Sequence, residues 1–262
     1  MRIFDLHNDF LTKKEDFKSE LLSYGKTVYP VAVIYKGNRT FKETEDIARK
    51  YKRSGFPFKT AFEDVGYEDA EPEDIIKFNP LYASLTYNGE NRYGFGADIN
   101  EPLKKDGLNA AKKLNAAGVA VDVAHLSERG VYSLSDNGVK IINTHTAFSS
   151  VYKHKRNITN GVIEAIINCG GVIGMTLVGY FLGEKADIES VFSHVDYFAE
   201  RFGTDNLCIG TDFNGTDYLP EGIRCYNDLK KIIFRLEKAG YNKGDINKIF
   251  YMNAERYFKN LL

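Results

Sequence analysis

The first residues of the chain that could take part in chemistry lie near its N-terminus, in the stretch MRIFDLHNDFLT. A short apolar start runs directly into Asp5, His7 and Asp9, which stand at every second position. Side chains alternate along a β-strand, so a strand here would direct all three to one face. Two carboxylates and an imidazole on one face suit a metal-binding site better than a strand that only packs against a core.

Polar residues of the same kinds close four further strand-like segments. They are, in chain order, Glu63 in FKTAFEDV, His125 in VAVDVAH, His145 in KIINTHT and Asp212 in NLCIGTDF. One histidine at a strand end is more often a hydrogen-bonded core or surface residue than a ligand. Three histidines with acids at the ends of different strands favour a site for zinc or a similar divalent ion. Two such ions, about 3.5–4 Å apart and bridged by a carboxylate, would acidify one water for hydrolysis at a carbonyl.

Strand-like and helix-like segments alternate along almost the whole chain, as they do in TVYPVAVIY followed by TFKETEDIARKYKRSG. We count eight strand-like segments, most of them followed by a helix, and several are apolar until their last residues, which is typical of parallel strands covered on both faces. This pattern predicts an α/β fold, a single (β/α)₈ barrel domain of the metal-dependent hydrolase type over residues 1–262, with a doubly wound open sheet as the alternative. In such a barrel the carboxyl ends of the strands meet at one mouth, so the polar strand ends would converge.

Composition excludes several classes of function. The chain has 262 residues, a hydrophobic content of 43% and a net charge of -1, which gives no reason to expect nucleic acid or an anionic membrane as a partner. No apolar run is long enough to span a bilayer, and Asp5 interrupts the region where a secretory signal would lie. Three scattered cysteines without CxxC spacing indicate reduced thiols and a cytoplasmic protein.

Several motifs, taken in order, resemble the membrane dipeptidase (renal dipeptidase) family of zinc peptidases. DLHNDF resembles the DGHND opening of that family, and INTHTAFSSVYKHKRNI is similar to its segment with SH followed by RN. The family's remaining segments are matched by GLNAAKKLNAAGVAVDVAHLS, HVDYFAERFGTDNLCIGTDFNG and KIFYMNAERYF. The resemblance runs from the first residue to the end and implies a (β/α)₈ barrel with two zinc ions.

The resemblance also implies a role for each site residue. His7 and Asp9 would bind one zinc ion, His125 and His145 the second, and Glu63 would bridge the two. Arg156 would hold the free carboxylate of a dipeptide substrate, which suits the fork geometry of a guanidinium group. Asp212 would meet the free amino group or move the proton, so the catalytic residues would be Glu63 and Asp212.

The chain departs from the family pattern at a few positions. The family's LTLTH strand carries a histidine that contacts the substrate, and SLTYN places Tyr87 there instead. The family's EGG is Glu63-Asp64-Val65, and the stretch between Asp9 and Glu63 is short for the family. A tyrosine can donate one hydrogen bond to a carbonyl or oxyanion, so Tyr87 remains a candidate substrate-binding residue with an altered substrate range.

We therefore interpret the chain as a metal-dependent dipeptidase that cleaves dipeptides with a metal-bound hydroxide. Two alternatives stay open: a hydrolase of another small amide or lactam that uses the same metals, and a silent metal-binding barrel that binds a peptide-like ligand. A monomer and a homodimer are both compatible with the sequence. We further expect Asp5 to orient a ligand imidazole, His194 to pack inside a helix, and His154 and Asp64 to face solvent.

Overall fold

A computed structural model describes residues 1–13, 27–55 and 58–259 of the chain. Within these ranges, eight parallel strands close into a barrel in sequence order, each paired with its neighbours in the chain and the last paired with the first. The structure confirms the predicted (β/α)₈ barrel over the open sheet. The strands are β1 (Ile3–Asn8), β2 (Val28–Tyr35), β3 (Thr60–Glu63), β4 (Tyr82–Ser84), β5 (Ala120–Asp122), β6 (Ile141–Thr146), β7 (Ile173–Met175) and β8 (Leu207–Ile209).

Helices alternate with these strands along the described residues. In chain order they are α1 (Phe10–Lys13), α2 (Phe41–Arg53), α3 (Pro72–Ile76), α4 (Lys105–Ala116), α5 (Glu128–Ser135), α6 (Asn160–Asn168), α7 (Gly179–Leu182), α8 (Ile188–Phe202), α9 (Leu229–Lys238), α10 (Lys243–Asn247) and α11 (Asn253–Lys259). A 3₁₀ turn (Tyr226–Asp228) precedes α9, and a π-helical turn (Lys248–Met252) joins α10 to α11. Within the described residues, every helix is too short or too polar to cross a lipid bilayer.

The helix ends follow from local sequence signals. Thr40 caps α2 by accepting a hydrogen bond from the backbone N–H of Glu43, whose side chain in turn accepts one from the backbone of Thr40. This reciprocal pair satisfies two donors that the first turn of a helix leaves free. Gly55 and Gly118 follow α2 and α4 with φ angles of 68° and 78°, in the left-handed region that ends many helices. Both glycines stand where the sequence predicts helix ends.

Two apolar clusters hold the barrel together. The smaller cluster draws buried residues from strands around the whole barrel and therefore fills its interior; it includes Leu6, Val33, Ala61, Tyr82, Ala120, Ile142 and Cys208. The larger cluster joins the opposite faces of the strands to the surrounding helices. On α9, Leu229, Ile232 and Leu236 are fully buried, as their helical spacing predicts. The packed interior leaves the carboxyl ends of the strands as the place for polar side chains.

Four strands differ in detail from the sequence pattern. β5 ends at Asp122 and β8 at Ile209, so His125 and Asp212 lie in the loops that follow these strands. The pairing register shifts in β1 between Asp5 and Asn8 and in β6 between Asn143 and Thr146. A register shift breaks the strict alternation of side chains and changes the direction in which a residue points. The ligand candidates of both strands, His7 and His145, lie within these irregular segments.

The loop after β6 is tied to α8 by a buried histidine. His194 is fully buried, and its Nδ1 accepts a hydrogen bond of 3.1 Å from the backbone N–H of Phe148. Burial lowers the pKa of His194 to about 4. The structure thus bears out the expectation that this histidine packs inside its helix. It also shows that the side chain fixes the segment that connects β6 to Arg156.

We predict that His194 makes the protein sensitive to acid. Its pKa is lower in the folded state than in the unfolded state, so the unfolded chain takes up a proton first as the pH falls from 6.5 to about 4. His194→Asn keeps an acceptor near the Nδ1 position and cannot titrate. Over this range the wild-type protein should lose up to about 3 kcal/mol more unfolding free energy than the variant. Urea titrations of the metal-free proteins at several pH values measure this difference, and parallel curves would contradict it.

Candidate metal centre

The five ligand candidates converge at the carboxyl end of the barrel. All of them are buried, with exposed fractions between 1% and 6%; they are His7, Asp9, Glu63, His125 and His145. Their potential ligand atoms form two groups, one of His7, Asp9 and Glu63 and one of Glu63, His125 and His145. Glu63 belongs to both groups. The structure thus places a carboxylate between two sets of imidazole and carboxylate groups that could hold metal ions.

Distances around Glu63 show how closely the two groups share it. Its Oε1 atom lies 2.9 Å from Nε2 of His125, 4.0 Å from Nε2 of His145 and 3.9 Å from Nε2 of His7. On the other side, Nε2 of His7 lies 3.3 Å from Oδ2 of Asp9. A carboxylate at this position can bridge two ions.

The hydrogen bonds of His125 show which of its ring nitrogens carries a hydrogen and which one could bind a cation. Nδ1 of His125 lies 2.9 Å from Oδ1 of Asn88, which also accepts a hydrogen bond from Nη1 of Arg156. Because a guanidinium group only donates, this atom of Asn88 is the oxygen, and Nδ1 of His125 carries the hydrogen. Nε2 of His125 therefore presents a lone pair. It faces Oε1 of Glu63, which is buried and accepts no hydrogen bond from the described residues.

When Glu63 is ionised, no hydrogen lies between these two facing acceptors, and a metal ion would bind both of them. A buried carboxylate oxygen without a donor costs free energy that a bound cation would offset. Imidazole nitrogens and carboxylate oxygens are the donor set that zinc accepts. The donor chemistry of this pocket thus fits the metal centre that the sequence resemblance implies.

Burial and neighbouring charges shift the pKa values of the candidate ligands in this pocket. Burial raises the pKa of Glu63 to about 7, although the charge of His7 opposes the shift. Burial alone would lower the pKa of His7, but the carboxylates of Asp9 and Glu63 outweigh it and raise the pKa to about 10. Burial and nearby positive charge hold the pKa values of His125 and His145 well below the usual range. Two of the imidazoles are therefore neutral and able to bind a cation.

Asp212 lies beside the first group of ligands, in a backbone conformation that is uncommon for its residue type. Its φ angle is 57°, and its backbone N–H donates to the carbonyl oxygen of His7 at 3.0 Å. A Cβ atom on Gly215 would overlap the carboxylates of both Asp212 and Asp9, so only glycine allows this close approach. Strained backbone that is held by its surroundings often occurs at functional sites. Burial and the neighbouring Asp9 raise the pKa of Asp212 well above its usual range.

Arg156 reaches the centre from the loop after β6, with only 6% of its surface exposed. Nε and Nη2 donate to the carbonyl oxygen of Ala124 at 3.2 and 2.9 Å, and Nη1 donates to Asn88 at 3.2 Å. Nη2 also lies 3.2 Å from Nε2 of His145. Two neutral oxygens, the carbonyl oxygen of Ala124 and the side-chain oxygen of Asn88, thus hold the guanidinium group in place.

Tyr87 forms the aromatic wall of the same cavity. Its ring stacks on His125 at 4.2 Å and contacts Tyr35 at 4.7 Å, while 37% of its surface remains exposed. Burial raises the pKa of Tyr87 to about 12, so its hydroxyl keeps its proton at neutral pH. The cavity has a volume of about 540 Å³, and its lining also includes Arg39, His154, Tyr180, Phe181, Asn214 and Asp217.

Three minor expectations from the sequence are wrong. Asp5 does not reach an imidazole ring: it accepts hydrogen bonds from the backbone of His7 and from Thr211 and Tyr226. Asp64 is buried and accepts a hydrogen bond from Asn91, because its left-handed backbone turns the side chain inward. His154 is half-buried and stacks on Phe181 at 4.7 Å. Part of the short stretch between Asp9 and Glu63, residues 14–26, lies outside the described residues.

Further residues, which the sequence patterns do not single out, hold the centre together. Asn88 fixes both His125 and Arg156, and Thr144 and Asp122 lie behind the imidazoles of β1 and β6. Asn88 directly follows Tyr87 and Thr144 directly precedes His145, so adjacency to a candidate was the only available signal. Tyr35 gave no signal, because an aromatic residue at the end of β2 is equally compatible with core packing.

Comparisons with known proteins agree with this geometry. The family described as "Membrane dipeptidase (Peptidase family M19)" matches residues 78–261. A Klebsiella pneumoniae protein named "Uncharacterized protein in pqqA 5'region" is 28% identical over 222 residues, covering 76% of this chain and 80% of that protein. "Dipeptidase verJ" of Clonostachys rogersoniana is 24% identical over 226 residues, covering 83% of this chain and 58% of that protein.

Among solved structures, a metallo peptidase from Rhodobacter sphaeroides, liganded with a phosphinate mimic of the dipeptide L-Ala-D-Ala, superposes with a TM-score of 0.84. The match covers 100% of this chain and 99% of that one at 16% identity, so it concerns the fold. The Clonostachys dipeptidase is longer, since this chain spans little more than half of it.

We predict that Glu63 is required for metal binding but not for folding. Glu63→Gln removes the shared negative charge, so it should abolish most of the stabilisation that zinc gives, which is about 2.7 kcal/mol at a zinc concentration 100-fold above Kd. Thermal unfolding with a chelator and with zinc, together with metal analysis, measures both effects. The wild-type protein should hold about two ions per chain.

Asp64→Asn is the matched control for this change. It removes the adjacent carboxylate, which lies outside both ligand groups, and asparagine tolerates the left-handed backbone at this position. The control should keep the zinc-dependent stabilisation. Equal stabilisation of Glu63→Gln and wild type by zinc would show that Glu63 is not a ligand.

Proposed function

The chain belongs to the membrane dipeptidase family, and on that premise we propose that it is a metal-dependent dipeptidase that cleaves free dipeptides at a centre of two zinc ions. The proposed ligands are His7 and Asp9 for one ion, His125 and His145 for the other, with the carboxylate of Glu63 shared. The observation that carries the proposal for the substrate is the environment of Arg156.

Arg156 is a buried cation that forms no ion pair with a carboxylate of the described residues. Its three described acceptors with oxygen atoms are neutral: Ala124 accepts twice and Asn88 once. A guanidinium group has five N–H donors: three go to these oxygens, a second one on Nη2 faces Nε2 of His145, and one on Nη1 remains. A metal ion on His145 would free the second Nη2 donor as well, so that two donors would be open to a ligand. A buried charge is stabilised when an opposite charge pairs with it. The carboxylate of a dipeptide would supply that charge beside His145.

Asp212 is suited to the other end of a dipeptide. It lies near the first ligand group, with Oδ1 3.9 Å from Nε2 of His7, whereas Arg156 lies beside the second group. Asp212 and Arg156 thus lie beside different ligand groups and line the same cavity of about 540 Å³. Such an arrangement can hold a small molecule with one positive and one negative end, and its peptide bond would lie between the two ends.

The chemistry divides between the metal ions and the side chains of the chain. Two zinc ions would supply an acidified water as the nucleophile and polarise the peptide carbonyl. Glu63 holds negative charge between the two ligand groups, and Asp212 is placed to exchange a proton with the reacting groups or to meet the amino group. The hydroxyl of Tyr87 keeps its proton and can donate to the developing oxyanion. Arg156 orients the substrate through its carboxylate.

We predict that Arg156 recognises the substrate carboxylate through its fork. Arg156→Lys keeps the charge but loses the paired donors, so kcat/KM for free dipeptides should fall by about 1–3 kcal/mol in transition-state stabilisation. Dipeptide amides lack the carboxylate, so the wild-type protein should cleave them poorly and the variant should reduce their rate little further. Steady-state kinetics on matched free and amidated dipeptides measure both effects.

Lys155→Gln is the control for this experiment. Lys155 is the neighbouring cation, it is 57% exposed, and it pairs with Asp98. The control removes one positive charge from the same loop and should change kcat/KM less than Arg156→Lys. If the wild-type protein cleaves free and amidated dipeptides equally well, Arg156 is not a carboxylate clamp and a broader amide hydrolase becomes the better proposal.

We predict that the carboxylate of Asp212 binds the free amino group of a dipeptide substrate. Asp212→Asn keeps the size of the side chain and tolerates the left-handed backbone, but it removes the negative charge. It should lower kcat/KM for free dipeptides by at least tenfold. N-acetyl dipeptides should be poor substrates of both proteins. If acetylation leaves wild-type turnover unchanged while Asp212→Asn still abolishes it, the role of Asp212 is proton transfer alone.

A further inference from the structure

We propose that Thr144 is a positioning residue that fixes which ring nitrogen His145 and His7 present to the metal centre. The inference rests on the proposed function, because it assumes that these two imidazoles bind metal. It concerns a residue that does not itself belong to the ligand set. Thr144 lies in β6 directly before His145 and is fully buried.

The hydroxyl of Thr144 lies at the centre of three polar groups. Oγ1 lies 2.8 Å from Oδ2 of Asp122, 3.0 Å from Nδ1 of His145 and 3.3 Å from Nδ1 of His7. Asp122, His7 and His145 have ligand atoms close enough to form a third metal-type group. The hydroxyl already lies within hydrogen-bonding distance of all three, so a hydrogen-bonded hub accounts for this group without a cation.

The single hydrogen of the hydroxyl decides the direction of each bond. Oδ1 of Asp122 accepts from the backbone N–H groups of Thr144 and Ala124 at 2.9 and 3.1 Å, which is the pattern of an ionised carboxylate. An ionised carboxylate can only accept, so the hydroxyl hydrogen of Thr144 goes to Oδ2 of Asp122. Oγ1 then has two lone pairs left, and both neighbouring imidazoles must donate to it through Nδ1–H.

The orientation of both rings follows from this count. With the hydrogen on Nδ1, the lone pair of a neutral imidazole is on Nε2. Nε2 of His145 lies 3.0 Å from Nε2 of His125, so its lone pair points into the metal centre. Nε2 of His7 lies 3.3 Å from Asp9 and points to the same place, where it can bind an ion once it has given up its proton. A metal-ligating histidine commonly depends on such a partner for its other nitrogen.

The two histidines differ in how much they depend on Thr144. Nδ1 of His7 has a second acceptor at 3.1 Å, the hydroxyl of Tyr82, which donates its own hydrogen to the carbonyl oxygen of Leu6 at 2.8 Å. Nδ1 of His145 has only Thr144 as a described partner. Loss of the hydroxyl should therefore affect the ion held by His145 more than the ion held by His7.

The backbone of Thr144 is held as firmly as its side chain. Its N–H donates to Asp122, and its carbonyl oxygen packs against the backbone of Gly174 and Gly210. A Cβ atom on either glycine would overlap that oxygen, so the chain needs glycine in β7 and directly after β8 to pass this close to β6. The hydroxyl thus has a fixed position from which it can define the tautomer of both rings.

Nuclear magnetic resonance on the full-length protein tests the proposal without any substitution. Long-range proton–nitrogen spectra of the metal-free, ¹⁵N-labelled wild-type protein at neutral pH distinguish the two tautomers of His145. We expect Nδ1 to be protonated and Nε2 to be unprotonated. A dominant Nε2–H tautomer in the wild-type protein would overturn the proposal, whether or not the protein cleaves dipeptides.

Substitutions add a test of metal affinity by zinc titration. Thr144→Val keeps the shape of the side chain but removes the hydroxyl, so zinc binding at the weaker site should fall about 10–100-fold. The share of the Nε2–H form of His145 should rise, although Nη2 of Arg156, 3.2 Å from Nε2, still favours a lone pair on that nitrogen. Thr144→Ser restores the hydroxyl and should restore both properties. Thr176→Val removes another fully buried threonine hydroxyl, one with no described contact to an imidazole, and should leave zinc affinity within about threefold.

Two results of these titrations would overturn the proposal: zinc affinity of Thr144→Val equal to wild type, or a Thr144→Ser protein impaired as much as Thr144→Val. If Thr144→Val does not fold, the wild-type spectrum and Thr144→Ser still decide the question. A protein that binds zinc through an Nδ1-protonated His145 but cleaves no dipeptide would refute the proposed function and support the role of Thr144.

Discussion

The carboxylate of Glu63 is the constraint on which the rest of the site depends. Its Oε1 atom is buried, accepts no hydrogen bond from the described residues, and faces the lone pair of His125 at 2.9 Å. A fold that served stability alone would place a donor there or fill the space with an apolar side chain. The barrel instead keeps several acceptors close together in a dry pocket. That arrangement becomes favourable when a cation binds, so the pocket has the chemistry of a metal site.

The barrel holds these acceptors in place with two similar pairs of hydrogen bonds, each between an aspartate and a threonine. On one side Asp5 of β1 accepts the backbone N–H and the hydroxyl of Thr211, which follows β8, at 2.7 and 2.6 Å. On the other side Asp122 of β5 accepts the backbone N–H and the hydroxyl of Thr144 of β6 at 2.9 and 2.8 Å. Each pair joins neighbouring strands below a candidate metal ligand. Because hydrogen bonds to an ionised group are strong, these pairs can resist the repulsion among the acceptors above them.

Much of this architecture could be predicted from the sequence, because it rests on patterns that repeat. Apolar segments that alternate with amphipathic helices predict the barrel, and the rule that strand ends converge brings His7, Glu63 and His145 together before any coordinates exist. The direction in which each of these side chains points could not be predicted. The register shifts in β1 and β6 leave no mark in the sequence, and they change which face a residue occupies.

The residues behind the ligands were harder to find for a related reason. Thr144, Asp122 and Asn88 are ordinary residue types, and only their distances to other side chains give them a role. Asp5 shows the opposite error: its place beside His7 in the sequence suggested contact with the ring, whereas the structure joins it to the backbone. Strand spacing therefore predicts which residues reach the mouth of the barrel. It does not predict which atoms they contact there.

Arg156 and the cluster of candidate ligands lie side by side and need partners of opposite charge. Arg156 needs an anion, and the cluster needs a cation. Within the described part of the chain, no carboxylate forms an ion pair with the guanidinium group. Nη2 lies 3.2 Å from Nε2 of His145, whose lone pair is a weak substitute for a carboxylate. A cation bound to His145 would take that lone pair and leave the donor on Nη2 without its partner. It would also add positive charge beside a buried guanidinium, which raises the need for an anion at that place. The carboxylate of a substrate meets that need, so metal and substrate should bind cooperatively, with the metal first.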